Sequence, residues 1–218
     1  MYKKLLISLL AATFFVTGCE SSGGSRNANN ASPTPQPIID KLIEAEKLAA
    51  NGQPQAAVDM AMPHTQYGDG SAELSIGYIH NEYLKDKINA INWYKKSAAK
   101  GNVIAKSNLG YIYYDMYDYD RAYDYFEDSA EKGDLPAITQ LGVMHYNGES
   151  VERDYRKAVQ YFQQAQQQGD ARAHYFLGIC YLESHGIAQD LAKAKELLTY
   201  AENHGIEEAR KKLRQLGW

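Results

Sequence analysis

Residues 136–170, PAITQLGVMHYNGESVERDYRKAVQYFQQAQQQGD, carry the pattern that decides the fold. In the first half Ala137, Leu141-Gly142 and His145 recur at helical spacing. In the second half Ala158, Phe162 and Ala165 do the same, and Gly169 closes the stretch. Spacings of three, four and five place such residues on one helical face. Asn147-Gly148 lies between the halves. The stretch therefore reads as two amphipathic helices joined by a Gly-containing loop.

The pattern recurs along most of the chain. A small residue stands five positions before a glycine in four places: Ala72 and Gly77, Ala105 and Gly110, Ala137 and Gly142, Ala173 and Gly178. Three positions after each glycine comes His80, Tyr113, His145 or Tyr181. Each second half carries an alanine (Ala90, Ala122, Ala158, Ala194), then Tyr94, Phe126, Phe162 or Leu198 four residues on, then Ser97, Ser129, Ala165 or Ala201. Glycines 101, 133, 169 and 205 close the units, 32, 36 and 36 residues apart. Such a period marks a solenoid of helix pairs. A mid-helix glycine costs about 1 kcal/mol against alanine. Four at one register imply a packing reason, a close approach of two helix backbones where no Cβ intervenes. The closing glycines sit where a left-handed C-cap is expected, and Asn102, Asp134 and Asp170 are placed to cap the helix that follows.

These residues resemble the SEL-one-like repeat, a relative of the tetratricopeptide repeat. The third unit carries the motif in Leu141-Gly142, Asn147-Gly148, Val151, Asp154, Lys157-Ala158, Tyr161-Phe162 and Gly169. The fourth carries it in Leu177-Gly178, Tyr181, Gly186-Ile187, Asp190, Lys193-Ala194 and Gly205. The first two units keep the helical positions but lack the longer inter-helix loop: His80 to Ala90 spans 10 residues and Tyr113 to Ala122 spans 9, against 13 in the later units. The resemblance implies an all-α, right-handed α-solenoid of antiparallel helix pairs that works as a protein–protein interaction module and not as an enzyme. Residues 71–102, 103–134, 135–170 and 171–206 are the four repeats. Residues 38–70 read as a degenerate helical leading unit, with a helix from Pro54 to near Gly68. Residues 207–218 read as a capping helix with Ala209, Leu213 and Leu216 on one side.

The N-terminus reads as an address. Lys3 and Lys4 precede an apolar run, Leu5 to Val16. A helix over those residues reaches roughly 18 Å, short of the ~30 Å hydrocarbon core of a bilayer, so residues 1–18 are expected to be a secretory signal. The run ends in Val16-Thr17-Gly18-Cys19, which resembles the bacterial lipobox. The resemblance implies that Cys19 is lipidated and becomes the mature N-terminus. Glu20 follows, and in a Gram-negative host that residue implies an outer-membrane address facing the periplasm. Residues 19–37 complete the lipidated tether, Ser/Gly/Asn-rich and then Pro-rich, with almost nothing to bury.

Composition narrows the function. The chain has 23 basic and 27 acidic side chains, a net charge of −4. That balance argues against a nucleic-acid partner, which calls for a basic stripe. The six histidines show no metal-ligating spacing, and no cofactor is expected. His80 and His145 hold the repeat's aromatic position and are expected to pack there with a hydrogen bond. Cys180 falls on a core-facing helix and reads as a buried structural thiol. No nucleophile motif is present, so no catalytic residue is expected.

Tyrosine is the unusual component, with 18 residues, ten of them between Tyr78 and Tyr125. The positions one and four after each mid-helix glycine are expected to face away from the second helix, on the concave side of the solenoid. They hold Tyr78, Tyr111, Tyr114 and Tyr146 beside aliphatic groups, a row suited to a protein or peptide partner. A second candidate is the acidic and aromatic cluster Asp115, Tyr117, Asp118 and Asp120, suited to a basic segment. The expected role is a lipid-anchored adaptor of the envelope. An immunity protein against a secreted antibacterial effector and, less favoured, an envelope enzyme acting on peptidoglycan are the alternatives.

Overall fold

The computed structural model describes residues 33–218. The signal segment, Cys19 and the tether up to residue 32 lie outside the described residues. Eleven α-helices and one 3-10 turn make up the described chain, with no strand among them. The chain divides into two compact units, one up to Tyr117 and one from Asp118. The first holds α1 (Gln36–Ala50), α2 (Pro54–Ala61), α3 (Ser71–Glu82), α4 (Lys87–Ala99) and α5 (Val103–Asp115). The second holds α6 (Tyr119–Ala130), α7 (Leu135–Asn147), α8 (Tyr155–Gln166), α9 (Ala171–Glu183), α10 (Leu191–Asn203) and α11 (Glu207–Leu216). Consecutive helices pack as antiparallel pairs, α1 on α2, α3 on α4, α7 on α8 and α9 on α10. The architecture is an all-α solenoid of helix pairs. No helix among the described residues is long and apolar enough to cross a membrane.

The mid-helix glycines do have a packing reason, and at Gly77 and Gly142 a ring rather than a backbone fills the space. A Cβ on Gly77 would lie 2.7 Å from the Tyr94 ring, and one on Gly142 would lie 2.5 Å from the Phe162 ring. On Gly178 it would reach the Leu198 side chain at 3.0 Å. Each glycine is thus the socket for the large side chain four residues after the alanine of the second helix. Tyr94, Phe162 and Leu198 are fully buried there. The alanines at that face, Ala90, Ala158 and Ala194, are also fully buried.

The helix ends follow from local chemistry. Gly101, Gly133, Gly169 and Gly205 all adopt φ between 84° and 90°. At Gly101, Gly133 and Gly205 nothing stands within 4 Å of a would-be Cβ, so the left-handed backbone alone calls for glycine there. The side chains of Asn102, Asp134 and Asp170 accept from the amides of Ala105, Ala137 and Ala173 at 3.0, 3.0 and 2.7 Å. The second helix of each of the four repeats is capped by an aspartate too: Asp86, Asp118, Asp154 and Asp190.

Three points differ from the sequence reading. The first helix begins at Gln36, inside the stretch read as tether, and Thr34 is buried and donates from its amide and hydroxyl to the Asp69 carboxylate. The helix from Pro54 ends at Ala61, and Met62–His64 form a 3-10 turn. Pro63 lacks the amide that would continue the helix. On the last helix Ala209 and Leu213 are buried, while Leu216 is exposed and Trp218 packs against the cluster instead.

Candidate partner-binding surfaces

The four tyrosines of the expected row occupy different environments. Tyr78 is half-buried and meets Tyr83 edge-on, ring centroids 6.0 Å apart. Burial, with Tyr83 close by, pushes its hydroxyl well above the usual phenol range. Tyr114 is half-buried as well. Tyr111 is only 6% exposed and offers little surface. Tyr146, in the second unit, is half-buried and held in a ring cluster. Its hydroxyl and His185 Nδ1 share a hydrogen bond of 2.8 Å, and its ring meets Tyr155 edge-on at 5.0 Å. His185 in turn stacks flat on Tyr155, 4.3 Å between centroids with 4° between planes. The neighbouring positions Asn81, Val143 and Ile179 are buried.

The acidic cluster divides between the two units. Asp115 ends α5, and Tyr117 is 79% exposed with φ 62°. In the second unit Asp118 is the N-cap of α6 and pairs with Arg121 at 2.9 Å. Asp120 accepts a hydrogen bond of 2.7 Å from the Ser150 hydroxyl. These two carboxylates have work inside their own unit, which the sequence did not reveal.

The histidines at the aromatic position pack as their register requires. His145 is 3% exposed, stacks on Tyr161 at 5.6 Å and lies 3.3 Å from the Tyr123 hydroxyl through Nε2. Burial holds its pKa below the usual histidine value, and nearby Lys157 acts in the same direction. His80 is likewise lowered by burial, with Asp86 opposing at 3.7 Å, and its Nδ1 does not make the hydrogen bond expected of it. Cys180 is fully buried, and desolvation pushes its thiol up to about 12. It therefore stays protonated and unreactive near neutral pH. No group of three His, Cys, Asp or Glu side chains among the described residues is placed to hold a metal ion.

The feature that sequence reasoning missed lies in the long loops of the second unit, 148–154 and 184–190. The Gly186 backbone rests on the carbonyl of Tyr155: a Cβ there would lie 2.4 Å from both its carbon and its oxygen. Beside this contact a groove of about 580 Å³ opens, walled by Arg153, Tyr155, Arg156, Gly186, Ile187 and Ala188. The only hint in the sequence was the equal length of the third and fourth loops.

The Sel1 repeat profile matches residues 66–102, 103–134, 135–170 and 171–206, well over half of the chain. The chain belongs to the Sel1 repeat family. No curated protein matches the sequence. Among solved structures, this Sel1 protein is similar to a Sel1 repeat protein from Oxalobacter formigenes, at 25% identity and a TM-score of 0.67 over 81% of this chain and 76% of that one. It is also similar to a protective antigen of uropathogenic Escherichia coli with the same repeat fold, at 22% identity and a TM-score of 0.66. That match covers 81% of this chain and 40% of the antigen. A Sel1 repeat protein from Klebsiella pneumoniae shares the fold at 18% identity and a TM-score of 0.53, over 87% of this chain and all of the other. Sel1 repeat proteins generally mediate protein–protein interactions and are typically not enzymes.

Proposed function

We propose that this Sel1 repeat protein is a lipid-anchored binding module of the bacterial envelope that presents half-exposed aromatic side chains to a protein or peptide partner. The observation that carries the reading is the run of four consecutive Sel1 repeats. In that family repetition creates recognition surface rather than a catalytic centre. The address comes from the sequence: the charged, apolar and small-residue run into Cys19, with Glu20 after it, supports an acylated N-terminus at the outer membrane. More than one acyl chain anchors stably where a single chain holds marginally. Tyrosine suits the contact because it adds large area with few rotors and a polar tip.

Affinity capture of the full-length chain after crosslinking in the envelope tests the reading. Wild type is expected to bring down a stoichiometric protein. Tyr78→Ser with Tyr114→Ser is expected to lose it while far-UV circular dichroism stays unchanged. A partner retained at full yield would show that the tyrosine row is not the contact. Cys19→Ala is expected to abolish incorporation of a labelled fatty acid, and persistent label would sink the anchor.

A further inference from the structure

The groove at the head of α8 has the chemistry of a receptor for negative charge, in a chain whose net charge is −4. Arg153 and Arg156 line it, both exposed, and among the described residues neither makes an ion pair with a carboxylate. Asp154 also lines the groove. Its Oδ1 accepts from the backbone amides of Arg156 and Lys157 at 2.9 and 3.0 Å. Those bonds, the Lys157 amide first, hold its carboxyl below the usual range. Several cations elsewhere on the second unit are paired: Arg121 with Asp118, Arg210 with Glu202 and Glu207, Lys193 with Glu196, and Lys212 with Glu183. What sets the two groove arginines apart is that both line one groove beside an aromatic ring.

The walls are set before any ligand arrives. The Arg153 guanidinium lies over the Tyr155 ring, 5.5 Å from its centroid. Tyr155 is stacked on His185, which Tyr146 holds by its hydroxyl. The facing loop is tied by the Gln189 amide donating to the Leu182 carbonyl at 2.8 Å. A second cavity of about 490 Å³ shares Arg153 and Asp154 with the groove and adds His145, Val151, Glu152 and Lys157 to the walls. His145 is 3% exposed and its Nδ1 has no hydrogen-bond partner. A buried polar atom without a partner beside a cavity is a place where a ligand's oxygen gains a bond.

We propose that the groove between loops 148–154 and 184–190 docks an acidic peptide segment, with Arg153 and Arg156 donating to its carboxylates and Tyr155, Ile187 and Ala188 packing on its aliphatic carbons. The guanidinium fork matches a carboxylate in two parallel bonds, which selects carboxylate over a neutral amide. A concave, aromatic-walled groove receives a protruding chain and not a flat bilayer. Because the rings and the loop are preset, little ordering is left for the moment of binding. The proposal rests on reading the chain as a binding module, but not on the tyrosine row.

Fluorescence anisotropy with the full-length chain in non-ionic detergent tests it, using a short fluorescein-labelled Glu/Ala peptide and its Gln/Ala counterpart. The Glu/Ala peptide is expected to bind, more weakly as salt rises, and the Gln/Ala peptide is expected not to. R153E/R156E and the milder R153A/R156A are each expected to weaken binding at least about tenfold with unchanged circular dichroism. The Tyr78→Ser, Tyr114→Ser chain is expected to bind the peptide as wild type does, which separates this site from the row proposed above. Absence of binding, equal affinity for the Gln/Ala peptide, or full affinity in both arginine variants would overturn the proposal. Loss of peptide binding in the tyrosine variant would move the peptide to that row and overturn it too. So would an arginine-dependent preference for phosphatidylglycerol over phosphatidylcholine vesicles in place of peptide binding.

Discussion

In the first repeat, residues 83–86 carry the chain from α3 to α4; in the third, the longer loop 148–154 carries it from α7 to α8. The helix pairs they join are built alike. Asp86 donates its amide to the His80 carbonyl at 2.9 Å, and Asp154 does the same to His145 at 2.9 Å. Each aspartate then caps the second helix with its side chain. Each pair closes on a glycine socket, Gly77 for Tyr94 and Gly142 for Phe162. The three additional residues of the longer loop are thus surplus to the packing of the pair. The longer loop also puts Arg153 beside Tyr155 at the groove. Loop length in this solenoid is free to vary because the anchor points at its two ends are fixed by hydrogen bonds.

The comparison can be broken most forcefully at the sockets. Phe162→Ala is expected to cost about 3–5 kcal/mol, read from chemical denaturation. Gly142→Ala is expected to cost about 1–3 kcal/mol by overpacking. The double variant should cost less than the sum, since the new methyl enters the space the ring vacated. The Gly178 and Leu198 cycle is expected to show weaker coupling, because that contact is looser and the leucine can shift. Strict additivity at Gly142 and Phe162 would refute the socket.

Gly186→Ala tests whether the surplus loop is docked. It combines a φ of +72° with the close approach to Tyr155, so a loss of about 1–3 kcal/mol is expected. Peptide affinity at the groove should fall with it, while Gly52→Ala, at a positive φ with nothing nearby, should leave that affinity unchanged.

The caps shared by both units should be interchangeable. Asn102→Ala and Asp170→Ala are each expected to cost about 1 kcal/mol in thermal or denaturant melts. A large difference between them would show that the repeats are not energetically equivalent.

Acid sensitivity separates the two histidines least strongly. The folded pKa of His145 lies below its unfolded value, so the unfolded chain takes up the proton first as pH falls. Stability is therefore full above the ordinary histidine pKa of about 6.5 and declines as pH drops from there toward the folded value. His145→Phe is expected to flatten that decline in pH-dependent melts. His80→Phe should flatten it less, because Asp86 already opposes the shift at that site. A steeper decline in either variant would show that the folded chain, not the unfolded one, takes up the proton first.

Much of the architecture was legible because its causes are local. The caps at Asn102, Asp134 and Asp170 span three residues, and the closing glycines answer to a single φ. The need for glycine at 77, 142 and 178 was legible too, but not what fills the space, since a missing Cβ admits a backbone or a ring equally well. The candidate surfaces were the least legible part. Tyr111 and Tyr114 share a helix three residues apart, yet one is buried and the other half-exposed. Asp118 and Asp120 read as free acids until their partners Arg121 and Ser150 were placed.

By itself the sequence determined the repeat, its helix pairs, their caps and the expectation of a lipidated Cys19, because each depends on neighbours a turn or two away or on a short contiguous motif. Only the tertiary structure decided that Phe162 fills the Gly142 socket, that Tyr146 spans 39 residues to hold His185, and that two unpaired arginines line one groove. Those facts depend on which distant segments meet. Spacing along the chain fixes the face a residue occupies but not what stands opposite it.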